Sequence, residues 1–489
     1  MPLVPLQLPP GVYRNGTDYQ SAGRWRDASL VRWTDGTMQP VGGWQTRTTV
    51  ASGKPMRGAL AWRTLSGDRW LSFGSYEKLY VANPSGTVTD ITPVGFVGGT
   101  VDAEVNLGFG GGFYGTGAYG TARPDSGNYG EATTWAMDTF GERPVFCAYS
   151  DGKIYEWDLN TANDAVAVTN APVDNLSCMV TEERFLVALG AGGNPRKVQW
   201  SDREDRTTWT PAGTNEAGDL ELQTSGQIML GIRTRGQALI LTDLDAHSMT
   251  YLGPPFVYGF ERVGSACGAV SRKCAVAVDA GVFWMGPRGF FRYAGGAVEE
   301  IPCDVLDYLT ATLTLAQKTK VYAVANARYS EIWWFYPSTT ENDQYIVYNY
   351  KENHWSIGSL PRTAGVDAGV FATPIWVGAN GIAYNQETGN AYSGASIYAE
   401  SGAIQIGTGD NVANALMLIP DEGTQGEVTA TFKTRFHPND TERTYGPYSM
   451  ANPTDVRFTG RQVAMRVTGS EANWRWGIPR LEVKAGGLR

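Results

Sequence analysis

The stretch that decides the fold is Arg143–Asp158, which reads RPVFCAYSDGKIYEWD. Two short apolar segments, Pro144–Tyr149 and Lys153–Trp157, flank the dipeptide Asp151-Gly152. Asp-Gly between alternating apolar residues is a strong hairpin signal, because both central residues of a tight hairpin turn need positive φ. The stretch therefore predicts one β-hairpin with aromatic residues on its flanks.

The same pattern recurs in units of about 40 residues within residues 51–392, a spacing typical of four-stranded propeller blades. The most regular unit holds four short apolar segments, Cys274–Val278, Gly281–Met285, Gly289–Tyr293 and Ala297–Ile301. Identity between units is low, so the alternation of strands and turns defines them. We predict an all-β fold, a β-propeller of six to eight blades with seven favoured.

The two ends of the chain differ from this array. Residues 1–50 combine a proline-rich arm with a hairpin at Leu30–Val41, which we expect to close the ring by completing the last blade. Residues 393–489 contain seven short segments that alternate at period two. This alternation predicts a separate C-terminal β-sandwich or jelly-roll-like domain.

Two segments interrupt the repeat. Residues 95–131 form a glycine-rich, aromatic insertion that includes GFGGGFYGTGAYGTARPDSGNYG. It is interpreted either as a floppy loop or as an adhesive loop that becomes ordered on a partner. Asp304–Lys320 has a helical spacing of apolar residues, with Asp304 as a candidate cap, and predicts a helix packed between blades.

Composition limits the possible partners and compartment. The formal net charge, 40 − 49 = −9, argues against a sequence-independent nucleic-acid binder but suits a surface that DNA slides past. No run of 18 apolar residues predicts a membrane span, and the proline-rich start lacks the basic region of a signal peptide. Five widely spaced Cys indicate free thiols in a reducing compartment.

The sequence offers no recognisable catalytic set. The chain has three His, no paired metal-ligand spacing and no nucleophile or phosphate-binding motif. The acidic residues of the segment WSDREDRTTW, Asp202, Glu204 and Asp205, match a sialidase-type Asp box poorly and are interpreted as charges on a solvated turn. We therefore predict no catalytic, cofactor-binding or metal-binding residues, and a protein that is not an enzyme.

Three groups of residues together resemble a known family. The N-terminal group is GRWRDASLVRW at residues 23–33 with VGGW at 41–44, and the second is the glycine–tyrosine run 108–120 with EATTW at 131–135 and SDGKIYEWD at 150–158. The third is TR at 434–435, YGPY at 445–448, GRQVAMR at 460–466 and WRWG at 474–477. The combination resembles the tail hub or nozzle proteins of short-tailed bacteriophages, also called packaged-DNA stabilisation proteins.

This resemblance implies a virion tail protein that is made and assembled in the host cytoplasm. It implies a homo-oligomer, a hexameric ring below the portal and adaptor proteins, that extends the DNA channel and retains packaged DNA until ejection. Tail fibres or spikes would attach to the ring, and double-stranded DNA would pass through it without sequence-specific binding. The alternative is a carbohydrate-binding or glycoside-cleaving β-propeller.

Subunit and partner contacts are expected in the N-terminal arm, the insertion and the C-terminal domain, because ring assembly needs two different matching surfaces. The basic–aromatic clusters could stack on bases or sugars, or could be Trp in a sheet with Arg lying along it. The candidate contact residues are Arg24, Trp25, Arg26, Phe109, Phe113, Tyr114, Tyr119, Tyr129, Trp474, Arg475 and Trp476.

Overall fold

The computed structural model describes residues 3–103, 130–406, 411–437, 440–470 and 473–487. The chain is 48% strand and 4% helix, so the all-β prediction is confirmed. Within these residues, seven four-stranded antiparallel sheets follow one another and form the blades of a propeller. The predicted propeller is therefore confirmed, and it has seven blades.

Each blade is a meander of four short strands. The strands are Met56–Arg63, Arg69–Ser75, Leu79–Ala82 and Val88–Asp90 in blade 1; Trp135–Phe140, Arg143–Ala148, Ile154–Glu156 and Val166–Ala167 in blade 2; Ser177–Val180, Leu186–Leu189, Lys197–Trp200 and Gly218–Glu221 in blade 3; Ile228–Thr234, Gln237–Thr242, Asp245–Gly253 and Val257–Ser265 in blade 4; Ala275–Val278, Gly281–Met285, Phe290–Tyr293 and Val298–Ile301 in blade 5; Tyr322–Asn326, Glu331–Pro337, Asn342–Asn349 and His354–Ser359 in blade 6; and Ala364–Val366, Ile375–Val377, Ile382–Gln386 and Trp44–Thr49 in blade 7.

The hairpin predicted at Arg143–Asp158 forms the two central strands of blade 2, with Phe146 opposite Tyr155. Its connection is longer than a two-residue turn, and of the Asp151-Gly152 pair only Gly152 has positive φ, at 66°. A Cβ on Gly152 would lie 2.8 Å from the Cα of Asp174. Glycine is therefore required here both by the backbone conformation and by the neighbouring loop.

Glycine also sets the contact between blades 1 and 2. Trp135 is fully buried against Gly58 and Gly74 of blade 1, where an added Cβ would come within 2.8 Å of the Trp135 Cβ and 2.3 Å of its indole ring, respectively. The indole N–H donates a hydrogen bond to the carbonyl oxygen of Ser75 at 2.6 Å. The missing Cβ atoms thus leave room for the largest side chain at the interface between two sheets.

An N-terminal strand closes the ring, but it is not the expected one. Trp44–Thr49 pairs antiparallel with Ile382–Gln386 and becomes the fourth strand of blade 7. The hairpin expected for this role forms a separate two-stranded sheet of Val31–Thr34 and Thr37–Pro40. The prediction that the hairpin closes the ring is therefore wrong. The two hairpin strands pair with each other and are buried against other parts of the chain, so they do not join blade 7.

The C-terminal part of the chain forms a sandwich of two antiparallel sheets, and each sheet includes a strand from the N-terminal arm. One sheet contains, in order, Leu3–Pro5, Arg480–Ala485, Ala413–Ile419 and Thr454–Gly460. The other contains Trp25–Ser29, Tyr398–Ser401, Gln462–Gly469, Val428–Arg435 and Arg443–Ser449, with Ile404–Gln405 beside Gln462–Gly469. The arm is therefore built into the sandwich as an edge strand of both sheets.

Strict alternation explains why these segments form a sandwich. Every second residue of Val428–Arg435 is buried, as expected for a strand with one face on a core. Phe432 from this strand packs against Phe458 of the facing sheet with ring centroids 4.8 Å apart. The apolar faces of the two sheets thus enclose a common core.

The predicted helix is present but shorter, and its cap differs. An α-helix spans Leu306–Thr312 and a 3-10 helix spans Leu315–Lys320. The residue at the N-cap is Val305, without a side-chain cap, whereas the Asp304 carboxylate pairs with Arg24 at 3.3 Å. The prediction that Asp304 caps the helix is wrong, because its carboxylate is held by the N-terminal arm. None of the described helices is long and apolar enough to cross a membrane.

Arg32 fixes the N-terminal hairpin to blades 6 and 7. Its Nε and Nη2 donate to the two carboxylate oxygens of Glu331 at 2.8 Å each, and Nη1 and Nη2 donate to those of Glu387 at 2.9 and 2.5 Å. All three side chains are almost completely buried, at 3–4% exposure. Asn326 donates to Glu387, and the Arg32 guanidinium lies 3.6 Å from the ring centroid of Tyr329.

This cluster holds one buried cation between two carboxylates. Burial raises the pKa of Glu331, and the Arg32 guanidinium and the Trp333 N–H oppose that shift. A charged group in a low-dielectric interior is tolerated only when it is paired and hydrogen-bonded. The arginine is therefore needed to keep both carboxylates inside the fold.

We expect Arg32→Met to lower the free energy of unfolding at pH 7 by about 3–5 kcal/mol, because two buried carboxylates lose their cation. In the variant the pKa of Glu331, already raised by burial, rises further above its unfolded value, so stability falls as pH rises and part of the loss returns as pH decreases toward about 5. Urea unfolding across this pH range checks both effects.

The exposed Arg69 offers a matched control, because Arg69→Met removes the same charge from the surface of blade 1. Its free energy of unfolding should stay within about 0.5 kcal/mol of the wild-type value. Equal stabilities for the Arg32 and Arg69 variants would show that the buried cluster is dispensable.

Candidate functional site

The first strand of each blade lies innermost, and these strands pack against one another around the propeller axis. At the face where they begin, three basic side chains are buried: Arg57 in the first strand of blade 1, Arg272 just before blade 5 and Lys320 just before blade 6. Desolvation lowers the pKa of Lys320, and the nearby Arg57 lowers it further. We call this face the axial mouth.

A carboxylate pairs with each of these three cations. Arg57 binds Glu341 through two hydrogen bonds of 2.8 and 2.7 Å. Burial would raise the pKa of Glu341, but the Arg57 guanidinium outweighs burial and holds it below its usual range. The other two carboxylates belong to the described ends of the insertion, and they are Asp102, paired with Lys320, and Glu131, paired with Arg272.

Backbone contacts strengthen this attachment. The Arg57 guanidinium donates to the carbonyl oxygen of Val101 at 3.0 Å. The Gln317 side chain accepts from the N–H of Ala103 at 2.9 Å and donates to its carbonyl oxygen at 3.0 Å. Both described ends of the insertion are thus fixed at the axial mouth, on blades 1, 5 and 6.

A second group of ionisable side chains lies along the inner strands. Arg233 of blade 4 pairs with Asp138 of blade 2 at 2.6 Å, and the Val180 N–H of blade 3 donates to the same carboxylate at 2.9 Å. Burial raises the pKa of Asp138 despite Arg233. Burial lowers the pKa of Lys273 to about 8, although Cys178 and Asp138 oppose the shift. Such an amine can accept a proton or attack a carbonyl near neutral pH.

The two basic–aromatic clusters of the sequence come close together in space. Trp25 and Trp476 line one cavity of about 570 Å³, which is also bordered by the arm residues 6–10 and by Trp33. The backbone N–H of Trp476 donates to the carbonyl oxygen of Met38 at 3.0 Å. The cavity therefore lies where the arm, the hairpin and the end of the sandwich meet.

The candidate contact residues fall into three groups. Trp25, Trp474 and Trp476 are 1–5% exposed and pack inside this chain. Arg24 pairs with Asp304 and Arg26 with Asp18, whereas the Arg475 side chain is exposed. The five insertion residues lie outside the described residues, and they are Phe109, Phe113, Tyr114, Tyr119 and Tyr129.

The acidic segment of blade 3 is a closed turn. The Asp205 carboxylate accepts hydrogen bonds from the N–H of Thr207 and the hydroxyl of Thr208, each at 2.8 Å, and the bonds from Thr207 and Thr208 lower its pKa. Asp202 accepts from the N–H of Glu216 at 2.8 Å. These carboxylates hold the turn, and no group of His, Cys, Asp and Glu within the described ranges is placed to hold a metal ion.

Sequence reasoning missed the axial mouth. A signal is nonetheless present, because a basic residue lies just before or within the first strand of blades 1, 5 and 6, in the segments KPMRGAL, SRKCAV and TKVYAV. A recurrent charge at the start of an otherwise apolar strand indicates a buried partner. The partners, Asp102 and Glu131, could be recognised only from the fold.

The sequence matches no protein-family model and no curated protein. Among solved structures, the chain is similar to virginiamycin B lyase from Staphylococcus aureus, with 9% identity over 70% of this chain and 98% of that chain, at a TM-score of 0.43. It is similar to YCF48 bound to a D1 peptide, with 9% identity over 73% and 99% of the two chains and a TM-score of 0.38. A gluconolactonase from Xanthomonas campestris shows 9% identity over 78% and 96%, with a TM-score of 0.32. This likeness concerns the fold alone.

The comparisons correct one prediction from the sequence, that the protein is not an enzyme. Several of the similar propellers are enzymes, including the virginiamycin B lyase, the gluconolactonase and an exo-β-1,3-galactanase from Phanerochaete chrysosporium. The absence of a nucleophile or metal motif therefore does not exclude catalysis on this fold.

We expect Lys273→Met to raise the free energy of unfolding at pH 7 by about 1–3 kcal/mol, because the desolvated ammonium costs stability that methionine does not. The folded-state pKa lies below the unfolded value of 10.5, so wild-type stability rises with pH between about 8 and 10.5. The stability difference between the variant and the wild type should therefore vanish near pH 10.5. Thermal unfolding of both proteins at several pH values measures this difference.

The exposed Lys351 provides the control, since Lys351→Met should leave the pH dependence of stability unchanged. A Lys273→Met variant that is less stable than wild type at pH 7 would contradict the assignment of an unfavourable desolvated ammonium at this position.

Proposed function

We propose that this chain is a structural subunit of a virion tail, the nozzle or hub of a short-tailed bacteriophage. In this role it forms a hexameric ring below the portal and adaptor proteins, extends the DNA channel, retains packaged DNA until ejection and carries fibres or spikes. The proposal extends the resemblance of the three sequence groups to that family. The proposal gives the chain a position in an assembly. It assigns no reaction to the ionisable side chains at the axial mouth and along the inner strands.

One observation carries the proposal: the N-terminal and C-terminal sequence groups that resemble the family form one structural unit. Trp25 of the first group pairs with Ser401, and the strand containing Ser401 pairs with Gln462–Gly469 of the third group. Met38, between the two parts of the first group, bridges to Trp476 of the third. Residues more than 400 positions apart in sequence thus belong to one packed region, which supports a resemblance of architecture.

The second sequence group supports the proposal differently. Its Glu131 is one of the carboxylates that fix the insertion at the axial mouth, where it pairs with the buried Arg272. A segment whose ends are fixed by buried ion pairs leaves the propeller at a defined place, which suits a contact with another subunit. The net charge of −9 suits a channel wall that repels the phosphates of passing DNA.

The test is ring assembly by a variant in which residues 104–129 are replaced by a short Gly-Ser linker. This change keeps Asp102 and Glu131, so the axial ion pairs and the fold remain. Wild-type protein mixed with the portal and adaptor proteins of its phage should give a six-fold ring with an axial hole in electron micrographs. The variant should keep its thermal unfolding temperature and fail to form the ring.

Two outcomes would contradict this account, the first in part and the second as a whole. A variant without residues 104–129 that assembles and retains DNA in particles would show that ring assembly does not need the insertion. A wild-type protein that stays monomeric beside the connector and binds glycans would favour the alternative, a carbohydrate-binding propeller.

A further inference from the structure

Among the described residues five Arg and Lys residues are buried, and four of them have carboxylate partners, whereas Lys273 is only partly buried. The exception is Arg362, just before blade 7, which is 3% exposed. Among the described residues no carboxylate lies within ion-pair distance of its guanidinium, and burial lowers its pKa to about 10 with only Tyr384 opposing the shift. A buried cation lowers the stability of the fold unless an anion pairs with it.

The hydrogen bonds of Arg362 leave part of its guanidinium unused. With the Gln386 amide oxygen turned toward it, Nε and Nη2 each donate to that oxygen at 2.9 Å, and Nη1 donates to the carbonyl oxygen of Pro361 at 2.9 Å. A guanidinium carries five N–H donors, so two remain without a described acceptor. The rings of Trp44 and Tyr384, with centroids 5.0 and 4.5 Å from the guanidinium carbon, hold the side chain in place.

Arg362 lines a cavity of about 650 Å³ between blades 6 and 7, the N-terminal arm and the sandwich. This volume lies in the range of small-molecule sites. The lining contains two arginines, Arg14 and Arg362, and one carboxylate, Asp27. Asp27 is already engaged by Arg14 at 2.9 Å and by the Tyr398 hydroxyl at 3.1 Å, so it does not neutralise Arg362.

The rest of the lining indicates the kind of anion. Four serines, at positions 29, 359, 393 and 396, line the cavity together with Tyr308 and Tyr398. Hydroxyl and phenol groups hydrogen-bond to sugar hydroxyls, and aromatic faces pack against sugar rings, whereas a guanidinium binds a carboxylate in bidentate geometry. We infer that this cavity binds a carboxylated sugar of the uronic-acid class, with its carboxylate on Arg362.

The inference is tested by ligand-observed NMR and calorimetry with D-glucuronate as the probe and D-glucose as its neutral counterpart. Glucuronate should bind and glucose should not. Arg362→Met should keep the fold, because it removes an unpaired buried cation, and should weaken glucuronate binding about 10- to 100-fold. Arg69→Met, which removes a charge far from the cavity in sequence and lies outside its lining, should bind like wild type.

A second variant keeps the test decisive if Arg362→Met does not fold. Ser359 is exposed at the edge of the cavity, so Ser359→Trp should fill the entrance, leave Arg362 intact and abolish binding. The inference is overturned if glucuronate fails to bind, if glucose binds equally, or if both cavity variants bind like wild type. Preference for N-acetyl-aspartate amide over glucuronate would also overturn it, and would indicate an acidic peptide. None of these results depends on whether the protein forms a ring.

Discussion

The buried cluster of Arg32, Glu331 and Glu387 is the interaction on which the arrangement of the two domains depends. The arginine comes from the N-terminal hairpin, and the two carboxylates come from blade 6 and from the end of blade 7. The strands on either side of the hairpin belong to different domains, since Trp25–Ser29 is an edge strand of the sandwich and Trp44–Thr49 closes the propeller. Within about 25 residues the chain therefore connects the sandwich to the propeller, and the buried ion pairs of Arg32 stabilise this connection.

Charge inside this protein is concentrated where separate parts of the chain meet. Arg32 lies at the junction of hairpin and blades, and the axial mouth uses Arg57, Arg272 and Lys320 to fix the ends of the insertion. Apolar burial is non-directional, whereas a buried ion pair is tolerated only in a narrow geometry. The apolar sheet faces thus supply cohesion, and the ion pairs set the position of the connecting segments. Arg362 differs from these residues, because its guanidinium is buried and hydrogen-bonded but has no carboxylate within ion-pair distance among the described residues.

The sequence was sufficient for the repeated elements of the fold. Short alternating strands with turn residues between them predict blades and a sandwich, because period-two burial is a local property of each strand. The hairpin at Arg143–Asp158 is an example, since its turn glycine and its apolar flanks are adjacent in sequence.

The same reasoning failed where the position of a strand depended on partners that are distant in sequence. The closing strand Trp44–Thr49 has the weaker alternation of buried and exposed residues, yet it pairs with blade 7, whereas the two strands of the predicted hairpin pair with each other.

The candidate site was less predictable for the same reason. The sequence left open whether Trp25, Trp474 and Trp476 contact partners or pack within a sheet, and the structure buries them within this chain, where the arm forms edge strands of the sandwich. The pairing of Lys320 with Asp102 joins residues 218 positions apart, which no local pattern encodes. Asp304 likewise has the sequence position of a helix cap, but the N-terminal arm provides a stronger partner in Arg24.

Hydrogen exchange measured by mass spectrometry on the intact protein tests the central claim, that the N-terminal segment is an integral part of both domains. Amides in Trp25–Ser29 and Trp44–Thr49 should exchange as slowly as those in the inner strand Trp135–Phe140, through global unfolding only. Rapid exchange of the two N-terminal strands, while the blade strands stay protected, would contradict it.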